Sequence, residues 1–326
     1  MTGIPLTVIG GYLGSGKTTL LNEMLDRRDG RRIAVIVNDF GQINIDARIL
    51  GERDGRTWEI ANGCICCDLS DGMAAAIESI RSADPPPTSV FVEVSGVGQP
   101  DVVARWGDHP GFVRGGATVC VDVLAIRSQV HRRWIGDTVA AQLRGADRFV
   151  LTKTDLASAD QIAEVRDWLT TMSDAEVIER ETAVAGDLST FADETAAAGP
   201  AQPVPAPDHD VRAAGAHRSW TFTVDAPVDR EHLRAVLEGL PAQFVRAKGI
   251  LDDRCRDGHR FAFDFDGARF DSRDFGQSGD EECHLVLIAA RTIAQTTPAQ
   301  THDRPDDGTE AAVEAIAQVL GAAPRS

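Results

Sequence analysis

The stretch Leu6-Thr7-Val8-Ile9-Gly10-Gly11-Tyr12-Leu13-Gly14-Ser15-Gly16-Lys17-Thr18-Thr19-Leu20 decides the fold. A short β-branched run enters a glycine-rich loop, and Lys17 onward has helical composition. Gly11 to Thr18 satisfies GxxxxGK[ST] at every fixed position, in the strand–loop–helix context that gives the pattern its meaning. Glycines let successive backbone N–H groups face inward and cradle phosphate oxygens without a Cβ in the way. The helix N-terminus behind them adds partial positive charge. Lys17 is expected to bridge the β- and γ-phosphates, and Thr18 to offer its hydroxyl to Mg²⁺. Gly11, Gly14, Ser15, Gly16 and Thr19 complete the expected nucleotide contacts.

Outward from this loop, apolar strands alternate with helical stretches. Strands are expected at Leu6–Ile9, Ile33–Val37, Val90–Val94, Ala117–Val121 and Arg148–Leu151. Helices are expected near Lys17–Arg27, Ser70–Arg81, Ile135–Arg144 and Gln161–Leu169. Continuously apolar strands alternating with helices predict a doubly wound, mostly parallel sheet covered on both faces, an α/β P-loop NTPase fold. The domain so defined spans 1–198, and a Pro/Ala/Gly-rich linker spans 199–217. A smaller α+β domain follows over 218–295, with strands at Trp220–Val224, Phe244–Leu251, Arg260–Phe265 and His284–Ile288 and a helix at Arg230–Leu237. Residues 296–326 read as a polar tail with a short helix over Glu310–Leu320.

Two further strand ends carry chemistry. Val90-Phe91-Val92-Glu93-Val94-Ser95-Gly96 is an apolar strand ending in an acid and a glycine. Behind a P-loop, Glu93 is placed to sit beside magnesium or orient water, and the Gly96 amide to touch the γ-phosphate. Asp122 also ends a strand, and there a simple helix cap is an equal alternative. Thr152-Lys153-Thr154-Asp155 follows another apolar strand and resembles the guanine motif [NT]KxD, with Thr152 where asparagine is commoner. The Asp155 carboxylate can accept from the paired N1–H and N2–H₂ edge of guanine, which adenine lacks, and the Lys153 stem can cover the base. GTP is therefore the expected nucleotide.

Gly63-Cys64-Ile65-Cys66-Cys67 places three of the six cysteines in four residues. Such dense thiols in a reducing compartment point to metal rather than disulfides. Cys64 and Cys67 have a CxxC offset, with Cys66 as a third soft donor. No second CxxC closes a tetrahedral set, so an open, exchangeable metal site is expected, with thiolates that suit Zn²⁺, Co²⁺ and Cu⁺ alike. Cys120, Cys255 and Cys283 stand alone and read as core or incidental residues.

Composition narrows the partners. Of 326 residues, 33 are basic and 50 acidic, a formal charge of −17. That balance argues against a phosphate-backbone binder and against a polybasic membrane anchor. No apolar run approaches bilayer length, and the N-terminus lacks a basic segment leading into an apolar signal core, so a cytoplasmic protein is expected. Only Lys17, Lys153 and Lys248 are lysines, against thirty arginines. Two of the three fall inside the nucleotide motifs, where a compact point charge matters.

The motifs, in this order, resemble the CobW-type GTP-binding metallochaperone family, whose relatives include the nickel-insertion GTPases of hydrogenase and urease maturation. The resemblance rests on Gly11–Thr18, the switch-like Asn38-Asp39-Phe40-Gly41, Gly63–Cys67, Glu93–Gly96 and Thr152–Asp155. Arg246-Ala247-Lys248-Gly249 and the strand ending at Ile288 look like the family's C-terminal domain. It implies GTP hydrolysis coupled to delivery of zinc or cobalt to an unidentified client metalloprotein, with Lys17, Thr18 and Glu93 catalytic. It adds Asp39 to the candidate metal ligands and leaves a homodimer open. Asp39 stands where the family usually has glutamate, and Gln42 where an acid is frequent. The histidine-rich run of many relatives is replaced by His209 and His217 alone. The competing functions are a nucleotide-gated binding module with negligible turnover and a P-loop small-molecule kinase.

Base choice is directly testable. Asp155→Asn should weaken GTP binding by about 1.5–3 kcal/mol through loss of charge-assisted hydrogen bonds. It should also improve binding of xanthosine nucleotides, which present an acceptor where guanine has its amine. Titration with both nucleotides checks this, and an unchanged GTP affinity would reduce Thr152–Asp155 to a strand-end turn.

Overall fold

Alternate residues of the central strands feed two different cores, which is how the sheet comes to be buried on both faces. The computed structural model describes residues 3–27, 32–37, 57–59, 69–132, 135–185, 217–267, 269–279, 282–290 and 307–325. They fall into two compact units, residues 3–185 and 217–325 in the described segments.

In the first unit, β1 (Ile4–Gly10) lies in the middle of a parallel sheet of order β3-β2-β4-β1-β5-β6-β7. Its neighbours are β2 (Ile33–Val37), β3 (Thr57–Glu59), β4 (Ser89–Glu93), β5 (Phe112–Asp122), β6 (Arg148–Thr152) and β7 (Glu176–Glu179). Ile9, Val35 and Phe91 point to one core with Leu20, Leu21 and Met24 of helix α1 (Lys17–Asp26). Val8, Ala34, Ile36, Val90 and Val92 point to the other, with Met73, Ile77 and Ile80 of α2 (Leu69–Arg81). This is the doubly wound α/β arrangement expected from the apolar runs.

Among the described residues this unit also holds the α-helices α3 (Pro100–Ala104), α4 (Ile126–Val130), α5 (Gly136–Arg144), α6 (Ala159–Met172) and α7 (Arg180–Ala185). Helix α6 starts two residues before the expected Gln161. Ser158 and Gln161 form a reciprocal capping box there, satisfying two N-terminal N–H groups. Strand β4 ends at Glu93, one residue earlier than expected, and β5 begins five residues earlier, at Phe112. The β5 extension passes a register shift opposite Leu6/Val8, where Gly116 has φ +83°. Strands β3 and β7 were not expected: both are short edge strands without an apolar run.

The second unit holds β8 (His217–Val224), α8 (Arg230–Glu238), β9 (Phe244–Asp252), β10 (His259–Phe265), β11 (Phe270–Gln277), β12 (Cys283–Ala290), α9 (Asp307–Leu320) and β13 (Pro324–Arg325). Its strands pair antiparallel in the order β11-β10-β9-β12-β8-β13. Phe222, Phe244, Phe261, Phe265, Leu285 and Leu287 fill the core beneath Leu233 and Leu237 of α8 and Ile316 and Leu320 of α9. The terminal helix is three residues longer than expected and belongs to this core. Strand β11 escaped sequence reading because Asp271 to Asp274 are exposed and polar, a composition that also blunts an open sheet edge.

His217 opens β8 and is buried, which pushes its imidazole down to about 4. The unfolded chain then binds this proton more readily, so stability is full above about pH 6.5 and is lost as pH falls toward 4. His217→Gln should therefore show a smaller loss of stability between those two pH values than the wild type, by on the order of 2–3 kcal/mol. Thermal melting across that range measures it, and parallel curves for both proteins would refute the assignment.

Candidate nucleotide and metal site

The site grows from the carboxyl end of β1. Ile9 pairs with Glu93 of β4 on one side, and Gly10 with Val119 of β5 on the other, so three strand ends converge where the glycine loop begins. Gly11, Gly14 and Gly16 have φ of +125°, +78° and +87°, a region that disfavours any Cβ. At Gly11 a side chain is also excluded by contact, since its Cβ would lie 2.5 Å from the Cys120 carbonyl oxygen.

Gly16 is the N-cap of α1 and supplies no side-chain cap, and no acid occupies the first turn. The leading N–H groups of the helix thus face the loop, a ready anion site. Ser15 is buried, and its Oγ has no hydrogen-bond partner among the described residues. Lys17 is buried too, and its Nζ donates to the carbonyls of Gly11 at 3.0 Å and Tyr12 at 3.4 Å. An ammonium curled over a glycine cradle, beside an unpartnered hydroxyl, fits a triphosphate.

Thr18 Oγ1 donates to Glu93 Oε1 at 2.8 Å, and Glu93 is 2% exposed. A hydroxyl and a carboxylate oxygen in contact are hard donors of the kind Mg²⁺ takes. Gly96 lies against the P-loop so closely that a Cβ would sit 2.8 Å from the Leu13 nitrogen. The structure thus brings Lys17, Thr18, Glu93 and Gly96 to one place, while Thr19 on the first turn of α1 is exposed.

The expected base-binding segment reaches the same loop. Thr152 Oγ1 donates to the Ser15 carbonyl at 2.8 Å, tying β6 to the phosphate cradle. Lys153 has φ +57°, the one non-glycine residue in this region among those described. Its Nζ pairs with Asp122 Oδ2 at 2.7 Å, and Asp122 Oδ1 accepts from the Leu124 N–H. Asp122 is therefore both a turn cap and the anchor of Lys153, and its position at a strand end was the only signal for it. Asp155 is exposed in the following turn. Arg180, which sequence reading passed over, is held by Glu23 of α1, with Nε donating at 2.8 Å. That hydrogen bond raises the Arg180 pKa, with Asp155 adding to the shift.

Cys64, Cys66, Cys67 and Asp39, together with the rest of Asn38–Gly41, lie outside the described residues. Their flanks are placed: β2 ends at Val37, paired with Glu93, and α2 begins at Leu69. Among the described residues no cluster of three His, Cys, Asp or Glu is arranged to hold a metal. Burial pushes the Cys120 thiol up to about 12 and raises that of Cys283, while Cys255 is exposed. Burial thus disfavours the thiolate form at Cys120 and Cys283. No helix among the described residues is long and apolar enough to cross a membrane.

The fold and glycine cradle define a P-loop nucleotide-binding protein, and comparison with known families agrees. The family model described as CobW/HypB/UreG, nucleotide-binding domain matches residues 5–179, and the cobalamin synthesis protein cobW C-terminal domain matches 217–299. The chain belongs to this family. It is 31% identical over 196 residues to a zinc chaperone CobW of Pseudomonas aeruginosa, covering 50% of this chain and 52% of that one. It is 31% identical over 166 residues to the zinc chaperone YjiA of Escherichia coli (48% and 51%). Against the zinc-regulated GTPase metalloprotein activator 1 of Schizosaccharomyces pombe the figure is 29% over 202 residues (58% and 49%). The chain thus spans about half the length of the curated relatives it matches.

Thr152→Val keeps the side chain's shape but removes the bond to the Ser15 carbonyl, leaving that buried acceptor unmet. It should lower GTP affinity and fold stability together, each by about 1–2 kcal/mol. Calorimetric titration and melting measure the pair, and a variant with both values unchanged would show that the two segments are held independently.

Proposed function

We propose that this chain is a metallochaperone that binds GTP, hydrolyses it to GDP and phosphate, and uses nucleotide state to hold or release a thiolate-bound metal for a client metalloprotein. The observation that carries the reading is the contact of Thr18 with Glu93 at the end of β4, beneath the glycine cradle, where Glu93 pairs with Val37, the last residue of the neighbouring β2. Names of matched relatives favour zinc as cargo, and thiolates also accept cobalt. The dense thiols Cys64, Cys66 and Cys67 are the ligands in this reading, with Asp39 as a further donor.

In this reading the loop amides from Gly14 to Thr19 bind phosphate oxygens, and Lys17 exchanges its two carbonyl partners for the β- and γ-phosphates. Thr18 would hold Mg²⁺, which supplies charge neutralisation on those phosphates. Glu93 accepts a hydrogen bond from the attacking water. As the water oxygen bonds to the γ-phosphorus, the bridging bond to the β-phosphate breaks, GDP leaves with the electron pair, and one water proton passes to a γ-phosphate oxygen to give inorganic phosphate. Asp155 reads the guanine edge, and the Lys153 stem, fixed by Asp122, covers the ring. Loss of the γ-phosphate frees the Gly96 loop, and the switch-like segment then relaxes the thiolates. We assign GTP chemistry to residues 1–198, joined to the C-terminal domain by a linker shorter than the expected 199–217, since His217 already opens β8, and place the protein in the cytoplasm, where thiols stay reduced.

The test measures phosphate release and metal affinity together. Lys17→Ala should abolish release of phosphate from GTP. Zn²⁺ and Co²⁺ affinities, read by competition with a chromophoric chelator, should be about 5–150-fold higher with a nonhydrolysable GTP analogue than with GDP. Linkage requires metal to tighten GTP by the same factor, and Cys66→Ser with Cys67→Ser should remove the coupling while sparing basal GTP binding. Equal metal affinities in GTP-analogue, GDP and nucleotide-free samples would leave a GTPase without a delivery cycle.

A further inference from the structure

Gln142 lies on α5 and is 1% exposed. Its Nε2 donates to the carbonyl of Gly96 at 3.1 Å and to that of Gly98 at 2.7 Å, more than forty residues away in sequence. An amide nitrogen has two protons to give, and both are committed to this one loop. A third carbonyl of the loop, that of Ser95, accepts from the Gly98 N–H at 2.9 Å. Because the peptide unit is planar, fixing the Ser95 carbonyl also fixes the direction of the Gly96 N–H on its far side. The loop is thus clamped from two directions. Leu13 of the P-loop presses on Gly96, and Gln142 grips the carbonyls behind it. Through Gly145, α5 leads directly into β6, whose last residue Thr152 bonds to the P-loop.

We propose that Gln142 is a positioning residue that presets the Gly96 N–H for the γ-phosphate and couples this sensing loop to the base-binding strand. The inference rests on the reading of Gly96 as the γ-phosphate contact. It makes Gln142 a determinant of GTP over GDP, while the cradle formed by Gly11–Thr18 binds both nucleotides. The apolar Gln142→Leu variant removes both donors. Gln142→Glu keeps the length and polarity but turns an acceptor carboxylate toward two carbonyl oxygens.

The experiment compares wild type and both variants in two measurements. Affinity for a nonhydrolysable GTP analogue with Mg²⁺ is set against affinity for GDP, and hydrogen exchange over residues 94–99 is followed in nucleotide-free protein. Each variant that melts as a folded protein should lose about 10-fold in preference for the GTP analogue over GDP, the scale of two modest hydrogen bonds. GDP affinity should stay within about twofold, and exchange over 94–99 should quicken. Unchanged exchange, or a parallel loss for both nucleotides, overturns the assignment of Gln142 while leaving the GTPase reading intact. A wild type that binds the two nucleotides equally overturns the reading of Gly96, and this inference with it.

Discussion

The site hangs from the buried end of β1. Its last residues are flanked by β4 and β5, so a glycine loop leaving β1 necessarily emerges between Glu93 on one side and the Cys120–Asp122 strand end on the other. Cys120 fixes how close that loop runs, through a carbonyl that no side chain at Gly11 could clear. Parallel order makes this convergence unavoidable: every strand of the sheet points its carboxyl end to the same rim, and the rim is where loops are free to carry chemistry.

From that rim, single hydrogen bonds between distant segments do the connecting. Thr18 reaches Glu93, Thr152 reaches the Ser15 carbonyl, and Lys153 reaches Asp122. Each involves a buried or half-buried group, where a lost partner costs more than the bond contributes in water. The glycine loop and the Thr152–Asp155 segment are therefore tied by a direct hydrogen bond rather than neighbours by accident. Gln142 adds such ties to the loop after β4.

Cysteine usage follows the same division between scaffold and chemistry. Cys120 sits under the P-loop with its thiol pushed up by burial to about 12, which suits a packing residue and removes it from thiolate chemistry. Cys283 behaves alike in the second unit, whose antiparallel sheet buries aromatic residues under α8 and α9. A dense run such as Cys64–Cys67, in a glycine-punctuated stretch, has a different physical character, since clustered soft donors favour a metal over a core.

The sequence by itself determined the doubly wound α/β fold, because continuous apolar runs such as Ile33–Val37 require burial on both faces and glycines at 11, 14 and 16 require positive φ. It also marked Lys17, Thr18, Glu93, Gly96 and Thr152–Asp155 as candidates, since each stands at a fixed offset from an apolar strand. It was silent on β3, β7 and β11, edge strands held by pairing with a neighbour rather than by their own hydrophobicity. Local pattern also understated the last helix, whose apolar face acquires meaning only against the second unit's core. Only the tertiary structure decided that Asp122 anchors Lys153, that Glu23 holds Arg180, and that Gln142 grips the loop at Gly96. These are side chains whose partners lie 31, 157 and 46 residues away in the chain. A lone polar residue on a helix or strand carries no local sign of such a partner; the fold supplies it by bringing strand ends together.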